Sequence, residues 1–328
     1  MKLISLLLLF LIFSFFYSYD QTFAASSPIV DLHQLTFSGQ REDWPMIYKD
    51  RVYWSESTEI RGYNFKNNQY LLLATVGEEL HSDFFAPIAY DGRYLIYDTY
   101  TLENNYDVHA YDFIKNQDIA VTEDLDSNTT NDYDNNTIVY IKGGACGSLH
   151  AFDLNIKEDA LITETACGPA KISGNIIVWN YAASGGTNVY GYDLKKHEQF
   201  DIATENGFQS SPDIYGNNVV WIHSDGSYNS IRLKNIKTGE THILTESTEH
   251  SFSWPSMSKS YVVWGKNTAQ HISGVEGANL KTGEVFEIQE QGPHQNDNLS
   301  AIVVDNIVAW MAWRTGNGDI YAATLLKH

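Results

Sequence analysis

The sequence predicts an all-β fold: a β-propeller of seven four-stranded blades, closed by an N-terminal strand that completes the last blade. Three observations support this prediction. Two half-motifs recur along the chain, their spacing suits four-stranded blades, and the last unit stops one strand short. Segments rich in Val, Ile, Tyr, Trp and Thr indicate strands, and Asp-Gly, Gly-Asn and Thr-Gly-Glu supply turns.

The first half-motif is a Pro or polar residue, a short apolar stretch, a turn, and an apolar strand that often ends in Trp. It occurs seven times, from Trp44 to Trp54, Pro87 to Tyr97, Asp132 to Tyr140, Pro169 to Trp179, Pro212 to Trp221, Pro255 to Trp264 and Leu299 to Trp310. Pro169, Pro212 and Pro255 follow one another at intervals of 43 residues, which is typical of propeller repeats. These segments predict strands A and B of each blade.

The second half-motif is a strand that ends in an aromatic-Asp-apolar triplet, then a turn, then a strand that closes on Thr. Strict copies are Tyr111-Asp112-Phe113 to Thr122, Phe152-Asp153-Leu154 to Thr163 and Tyr192-Asp193-Leu194 to Thr204. Looser copies begin at Asn235-Ile236 and Asn279-Leu280 and contain Lys-Thr-Gly-Glu. These segments predict strands C and D, with the Asp side chains bonded within the turns.

The two ends of the chain complete each other in this interpretation. The seventh unit reaches Asp319-Ile320-Tyr321 and stops near His328 before a fourth strand. The segment from Ile29 to Thr36 matches the strand-D endings and precedes the first unit. We therefore expect it to pair into the last blade, which would remove exposed sheet edges.

Two segments resemble the repeats of TolB-like β-propellers. They are Gln34 to Gly39 leading to Trp44-Pro45, and Gly316 to Tyr321 in the last unit. The resemblance covers essentially all of the mature chain and implies a propeller fold. The α/β domain that precedes the propeller in TolB has no room here, so the partners of that protein are not implied.

The N-terminus predicts export. Lys2 is followed by an apolar run from Leu3 to Phe16, and Thr22 and Ala24 fit a small-x-small cleavage site. The run is short for a membrane span, so we expect a signal peptide over residues 1–24, with an uncleaved anchor as the alternative. Residues 25–328 are expected to form one domain. The expected location is secreted, periplasmic or cell-surface.

The charge of the chain argues against two classes of partner. The formal net charge is −20, and the Lys and Arg residues are scattered along the sequence. Nucleic acid and anionic membranes are therefore poor candidate partners. A carbohydrate or a protein or peptide is the expected ligand, and the mature chain is expected to be a monomer that does not insert into membranes.

The repeated Trp residues come at the end of the predicted B strands. They are Trp54, Trp179, Trp221, Trp264 and Trp310. Rings repeated at one position of successive blades are expected to pack blade against blade rather than to bind a ligand.

Candidate binding residues lie just before strand A of the blades, where connections converge on one mouth of the central channel. The predicted ligand-binding residues are Trp44, His81, Asp83, Phe84, Phe208, His250, Trp254 and His294. Aromatic rings offer stacking faces, and the polar groups would orient a sugar or peptide. Solvated loop residues are the alternative interpretation.

The only two cysteines, Cys146 and Cys167, are predicted to form a disulfide, because export provides an oxidising environment. Cys146 is placed in the B-to-C connection of the third blade. Cys167 is placed in the connection that enters the fourth blade, on the same face.

One acidic stretch resembles a calcium loop, with Asp124, Asp126, Asn128 and Asp132 at the first, third, fifth and ninth positions. Thr129 replaces the Gly of the sixth position, and Asn135 replaces the bidentate Glu. An ordinary acidic loop is the favoured interpretation, so no cofactor is predicted.

Two classes of function follow. The sequence lacks a Gly-x-Ser-x-Gly elbow, a His-Glu-x-x-His zinc motif, a phosphate-binding Gly loop and a dinucleotide fingerprint. A non-catalytic binding or scaffolding propeller is therefore the preferred interpretation. The alternative is a metal-assisted polysaccharide lyase or glycoside hydrolase at the same face, by analogy of architecture with the oligogalacturonate lyases.

Overall fold

A computed structural model describes residues 28–37, 42–75, 85–100, 105–144, 146–183, 185–268, 272–293, 300–312 and 318–327. These residues contain 28 β-strands. No helix long and apolar enough to cross a bilayer occurs in these ranges. The predicted signal peptide, residues 1–24, lies outside them.

After β1, the strands follow one another in six groups of four and a last group of three. They are β1 (Ile29–Gln34); β2 (Glu42–Tyr48), β3 (Arg51–Glu56), β4 (Glu59–Asn64), β5 (Gln69–Thr75); β6 (Phe85–Tyr90), β7 (Tyr94–Tyr100), β8 (Tyr106–Asp112), β9 (Gln117–Ala120); β10 (Asn128–Asp134), β11 (Thr137–Lys142), β12 (Cys146–Asp153), β13 (Glu158–Cys167); β14 (Ala170–Ser173), β15 (Ile176–Ala183), β16 (Gly186–Asp193), β17 (Glu198–Ala203); β18 (Phe208–Tyr215), β19 (Asn218–Ser224), β20 (Asn229–Asn235), β21 (Thr241–Ser247); β22 (His250–Met257), β23 (Tyr261–Thr268), β24 (Ile272–Asn279), β25 (Val285–Pro293); and β26 (Ala301–Val304), β27 (Ile307–Ala312), β28 (Asp319–Leu325).

The molecule is an all-β propeller with four-stranded antiparallel blades. Five sheets of the described residues have four strands each, and one sheet has eight. The eight-stranded sheet consists of two successive four-stranded meanders, β14–β17 and β18–β21, joined by one parallel residue pair between Thr187 and Phe208.

This junction is a difference from the seven separate sheets that the sequence predicts. Gly186 makes it possible, because a Cβ at this position would lie only 2.0 Å from the carbonyl oxygen of Gly207. The Thr187 hydroxyl then lies 2.8 Å from the carbonyl oxygen of Gln209 and 3.1 Å from its backbone nitrogen. Close backbone approach at a glycine thus fuses the two meanders.

The first strands of the units surround the axis of the propeller. Each first strand contacts the first strand of the next unit, and the last contacts the first of the circle. In order, these strands are β2, β6, β10, β14, β18, β22 and β26. Strands that contact each other in a closed circle must be the innermost ones. Residues on these strands are therefore the ones that can line a central channel.

The predicted closure by the N-terminal strand is confirmed. β1 pairs antiparallel with β28, from Ile29 opposite Leu325 to Gln34 opposite Tyr321. The backbone nitrogen of Leu35 continues the ladder by donating to the oxygen of Ile320 at 2.7 Å. The last sheet therefore takes strands from both ends of the chain.

The repeated Trp side chains lie in the core, as predicted. Trp54, Trp179, Trp221, Trp264 and Trp310 are each at most 1% exposed. They belong to hydrophobic clusters that join neighbouring units; that of Trp264, for example, includes Val220 and Ile222 of the preceding unit. Packing between blades thus accounts for these residues.

The predicted role of the repeated Asp residues is also confirmed. The Asp112 carboxylate accepts hydrogen bonds from the backbone nitrogens of Ile114 and Lys115. Asp153 and Asp193 bind the following turns in the same way. Each carboxylate thus closes the turn between its third and fourth strands.

Cys146 and Cys167 form the predicted disulfide, with 4.2 Å between their Cα atoms. Their placement in loops was wrong. Cys146 begins β12, Cys167 ends β13, and the two are a directly opposed cross-strand pair of the third unit. β12 and β13 extend further than the hydrophobic alternation of the sequence indicates, because these strand ends are polar and carry bulges.

Candidate binding site at the mouth of the channel

Trp44 and Trp254 occupy the same position inside two innermost strands, β2 and β22, so their predicted place before these strands was wrong. Each precedes a Pro, and each lies in a β-bulge, between Asp43 and Met46 in β2 and between Ser253 and Ser256 in β22. Both have positive φ, 56° for Trp44 and 44° for Trp254. A bulge redirects a side chain out of the alternation of the strand, so neither ring joins the core between blades.

Both rings are open to solvent. Trp44 is 49% exposed and Trp254 is 43% exposed, in contrast to the buried Trp residues of the second strands. β2 and β22 both belong to the circle of innermost strands. Their bulges have the same register, so Trp44 and Trp254 lie at the same level along these strands.

A third strand has the same bulge without the aromatic ring. Ser211 precedes Pro212 in β18, with φ of 51° and a register shift between Ser210 and Asp213. Ser211 is thus the counterpart of the two Trp residues, which shows that the bulge itself does not require a large side chain. The bulge thus accounts for the positive φ of Trp44 and Trp254 and not for their aromatic rings.

Phe208 and His250 begin β18 and β22 at the same end of the innermost strands as the predicted site. Phe208 is exposed and pairs with Ser224. His250 is half-buried, and its Nδ1 has no hydrogen-bond partner among the described residues. The other predicted binding residues, His81, Asp83, Phe84 and His294, lie outside the described residues.

Sequence reasoning did not group three charged side chains that the innermost strands bring together. Asp132, Lys171 and Asp213 hold equivalent register positions in β10, β14 and β18, opposite Val139, Val178 and Val220, respectively. The Lys171 Nζ lies 3.6 Å from an oxygen of Asp132. The attraction of Asp132 raises the pKa of Lys171, and Asp213 contributes in the same direction. The sequence signal was a shared spacing, because each of the three lies eight residues before the aromatic residue that ends its first half-motif, Tyr140, Trp179 or Trp221.

Asp213 sets a pH dependence of stability. Burial raises its pKa to about 6, although Lys171 opposes the shift. Between the unfolded pKa near 4 and the folded pKa, the folded protein holds a proton that the unfolded chain has released, so stability falls as pH rises through this window. We expect the free energy of unfolding of Asp213→Asn, relative to the native protein, to increase by about 1 to 3 kcal/mol between pH 4 and pH 6.5.

Urea unfolding at several pH values measures this difference. The matched control is Asp305→Asn, the same change at an exposed turn beyond β26. Parallel pH profiles for Asp213→Asn and the native protein would contradict the assignment.

The candidate calcium residues do not converge on one point. The Lys142 Nζ lies 2.6 Å from Asp124 and 3.5 Å from Asp126, and so occupies the place of a cation between them. Asp132 instead accepts a hydrogen bond from the backbone nitrogen of Ile172. In the part of the chain that the structure describes, no group of three or more His, Cys, Asp or Glu side chains could hold a metal ion.

Comparison with solved structures gives the fold at low identity. A prolyl endopeptidase, one of two analysed for the role of inter-domain dynamics in catalysis and specificity, matches with a TM-score of 0.63 and 11% identity. The match covers 88% of this chain and 50% of the endopeptidase. TolB from Acinetobacter baumannii matches with a TM-score of 0.55 and 13% identity, over 87% of this chain and 79% of TolB. An oligogalacturonate lyase in complex with manganese matches with a TM-score of 0.51 and 12% identity, over 92% of this chain and 98% of the lyase.

These similarities show that the chain has a propeller fold, and they show nothing further. The chain spans half the length of the matched prolyl endopeptidase, and 29% of the tricorn protease, which it matches with a TM-score of 0.51 at 10% identity. No protein-family model and no curated protein sequence matches the chain. TolB-like and protease propellers are therefore its structural neighbours, without a sequence family.

Proposed function

We propose that the chain is an exported, monomeric, seven-bladed propeller, counting the eight-stranded sheet as two blades, that binds a glycan or peptide at one mouth of its channel. Trp44 and Trp254 form the primary contact surface, and Phe208 and His250 border it. The binding is non-catalytic. The acidic composition of the chain favours an uncharged or cationic ligand over a polyanion.

One observation carries this proposal: two exposed Trp rings at equivalent bulges of innermost strands, both with positive φ. A non-glycine residue in this region costs about 1 to 2 kcal/mol, and such strain is concentrated at functional sites. Ser211 adopts the same φ without a ring, and 49% of Trp44 and 43% of Trp254 remain in water, so the exposed parts of these rings add nothing to the core. Stacking on a sugar or a peptide side chain would use both of them.

A glycan array and a peptide library, probed with the purified mature chain, would identify the ligand. Trp44→Ala and Trp254→Ala should each weaken its binding by about 1 to 3 kcal/mol, a 5- to 150-fold increase in Kd, because each removes an aromatic anchor. Titration calorimetry measures the change.

Tyr215→Ala is the matched control, since Tyr215 ends the innermost strand β18 and is 43% exposed, like Trp254, but lies at the opposite end of the channel. Its Kd should equal that of the native protein. Equal Kd values for all three variants would refute the site, and metal-dependent cleavage of an array glycan would favour the lyase or hydrolase alternative.

A further inference from the structure

A serine, a histidine and an aspartate of the third unit are connected in the order of a hydrolase triad. The Ser148 Oγ lies 2.9 Å from the Nε2 of His150, both on β12. The Nδ1 of His150 lies 2.7 Å from an oxygen of Asp159 on β13. These three residues lie on the flank of the blade and are separate from the channel site.

The connectivity fixes the direction of the hydrogen bonds. A carboxylate only accepts, so the proton of the neutral imidazole lies on Nδ1 and points to Asp159. The lone pair of Nε2 then faces Ser148, whose hydroxyl donates to it. This is the tautomer that a general base for a serine nucleophile requires.

Neighbouring groups hold the imidazole and the carboxylate in place. The Tyr140 hydroxyl donates to the second oxygen of Asp159 at 3.0 Å. The Tyr140 and His150 rings are stacked, 5.2 Å between centroids. The side chains of His150 and Asp159 are 14% and 37% exposed, so the group is ordered and still reachable from solvent.

The second unit contains the same support without a nucleophile. The His109 Nδ1 lies 2.8 Å from Asp118, the Tyr97 hydroxyl donates to the same carboxylate at 2.6 Å, and the rings are stacked. Two residues before His109, where Ser148 stands in the third unit, is Asp107, which accepts from Thr122. A structural role for the Tyr-His-Asp group does not account for the serine of the third unit.

The backbone around Ser148 is interrupted on one side. Opposite this point the pairing of β12 with β13 shifts between Gly147 and Leu149, which interrupts the backbone ladder at the serine. Lys142 of β11 is the residue directly opposed to Ser148, and its Nζ is paired with Asp124 at 2.6 Å and Asp126 at 3.5 Å. The proposed site therefore provides a nucleophile and a base from β12 and β13, and its neighbouring cation is neutralised by these two carboxylates.

We propose that Ser148 is the nucleophile of a second site, which hydrolyses carboxylic esters. Ser148 Oγ attacks the acyl carbon while its proton passes to the Nε2 of His150. The ester C–O bond then breaks, the alcohol takes the proton from Nε2, and the acyl group stays on Ser148. Water attacks this acyl-enzyme, giving a proton to Nε2 that returns to Ser148 Oγ as the carboxylic acid leaves.

A fluorophosphonate reagent, applied to the mature chain, tests the nucleophile directly. The expected result is one phosphonyl adduct by intact mass, located on Ser148 by peptide mapping and absent from Ser148→Ala. His150→Gln should slow labelling by about 100-fold or more, the contribution of a general base. The same two variants should lose p-nitrophenyl acetate hydrolysis above the rate of the uncatalysed reaction.

His109→Gln is the matched control, because it removes the equivalent histidine of the second unit and should leave labelling unchanged. Thermal unfolding of each variant checks folding. No adduct on the native chain, under conditions that label a reference serine hydrolase, would overturn the proposal. A labelling rate equal in His150→Gln and the native chain would overturn it as well.

Discussion

Deletion of the chain through Thr36 should destabilise the propeller more than any single substitution, by about 5 kcal/mol or more. The deletion removes β1 and exposes the unpaired edge of β28. It also removes Leu35, which is buried in a cluster that contains Trp54 and Ile307. Losing such a Leu side chain alone costs about 2 to 5 kcal/mol.

Thr36 adds polar contacts that the deletion also breaks. Its hydroxyl accepts a hydrogen bond from the backbone nitrogen of Ile320 at 2.9 Å and donates to Glu42 at 3.2 Å. Both contacts are buried, so the deletion would take these hydrogen bonds away from the Ile320 nitrogen and the Glu42 carboxylate in a place that water does not reach. The melting temperature, measured by differential scanning calorimetry, should fall by about 10 °C or more.

The control for this deletion removes only residues 1–27 and leaves β1 intact. It should melt at the temperature of the mature chain. If the two truncated proteins melt within about 2 °C of each other, the pairing of β1 with β28 does not stabilise the propeller, and the prediction is wrong.

Trp264→Ala should cost about 3 to 5 kcal/mol of unfolding free energy, the range for removing a large buried ring. Trp264 is fully buried, contacts the edge of Phe252, and donates from Nε1 to Glu276 at 3.2 Å. Its cluster joins two successive units, so the cavity would lie between blades. Urea unfolding with a constant m-value measures the loss.

Trp254→Ala removes the same ring ten residues earlier and provides the comparison. Trp254 is exposed and at positive φ, so its removal should change stability by less than about 1 kcal/mol while weakening ligand binding. The two variants thus separate the roles of packing and binding. A loss of stability at Trp254 as large as at Trp264 would place both rings in the core and exclude the channel site.

Local sequence patterns predict much of this fold, because the repeat provides the same local signal several times. The closing strand, the buried Trp of the second strands and the Asp112-type turns all depend on short-range pattern and spacing. The disulfide followed from the presence of two cysteines in a chain predicted to be exported. The ends of β12 and β13 did not, since polar residues such as Glu164 and Thr165 interrupt the apolar alternation.

Contacts between units are less accessible to such reasoning. The fusion of two meanders depends on the approach of Gly186 to Gly207, which no local pattern encodes. Lys171 meets Asp132 only because their strands are neighbours around the axis. Trp44 and Trp254 could be selected from their position near the start of the predicted A strands, but their place inside these strands and their positive φ could not be read from the sequence.

The most direct test of the channel site uses the chain labelled with 5-fluorotryptophan. Its eight Trp residues give eight ¹⁹F signals, assigned by single Trp→Phe variants. Titration with the glycan or peptide selected from the arrays should shift the signals of Trp44 and Trp254 and leave those of the five buried Trp residues unchanged. Saturable binding that leaves the Trp44 and Trp254 signals in place would contradict the assignment of the site to the channel mouth.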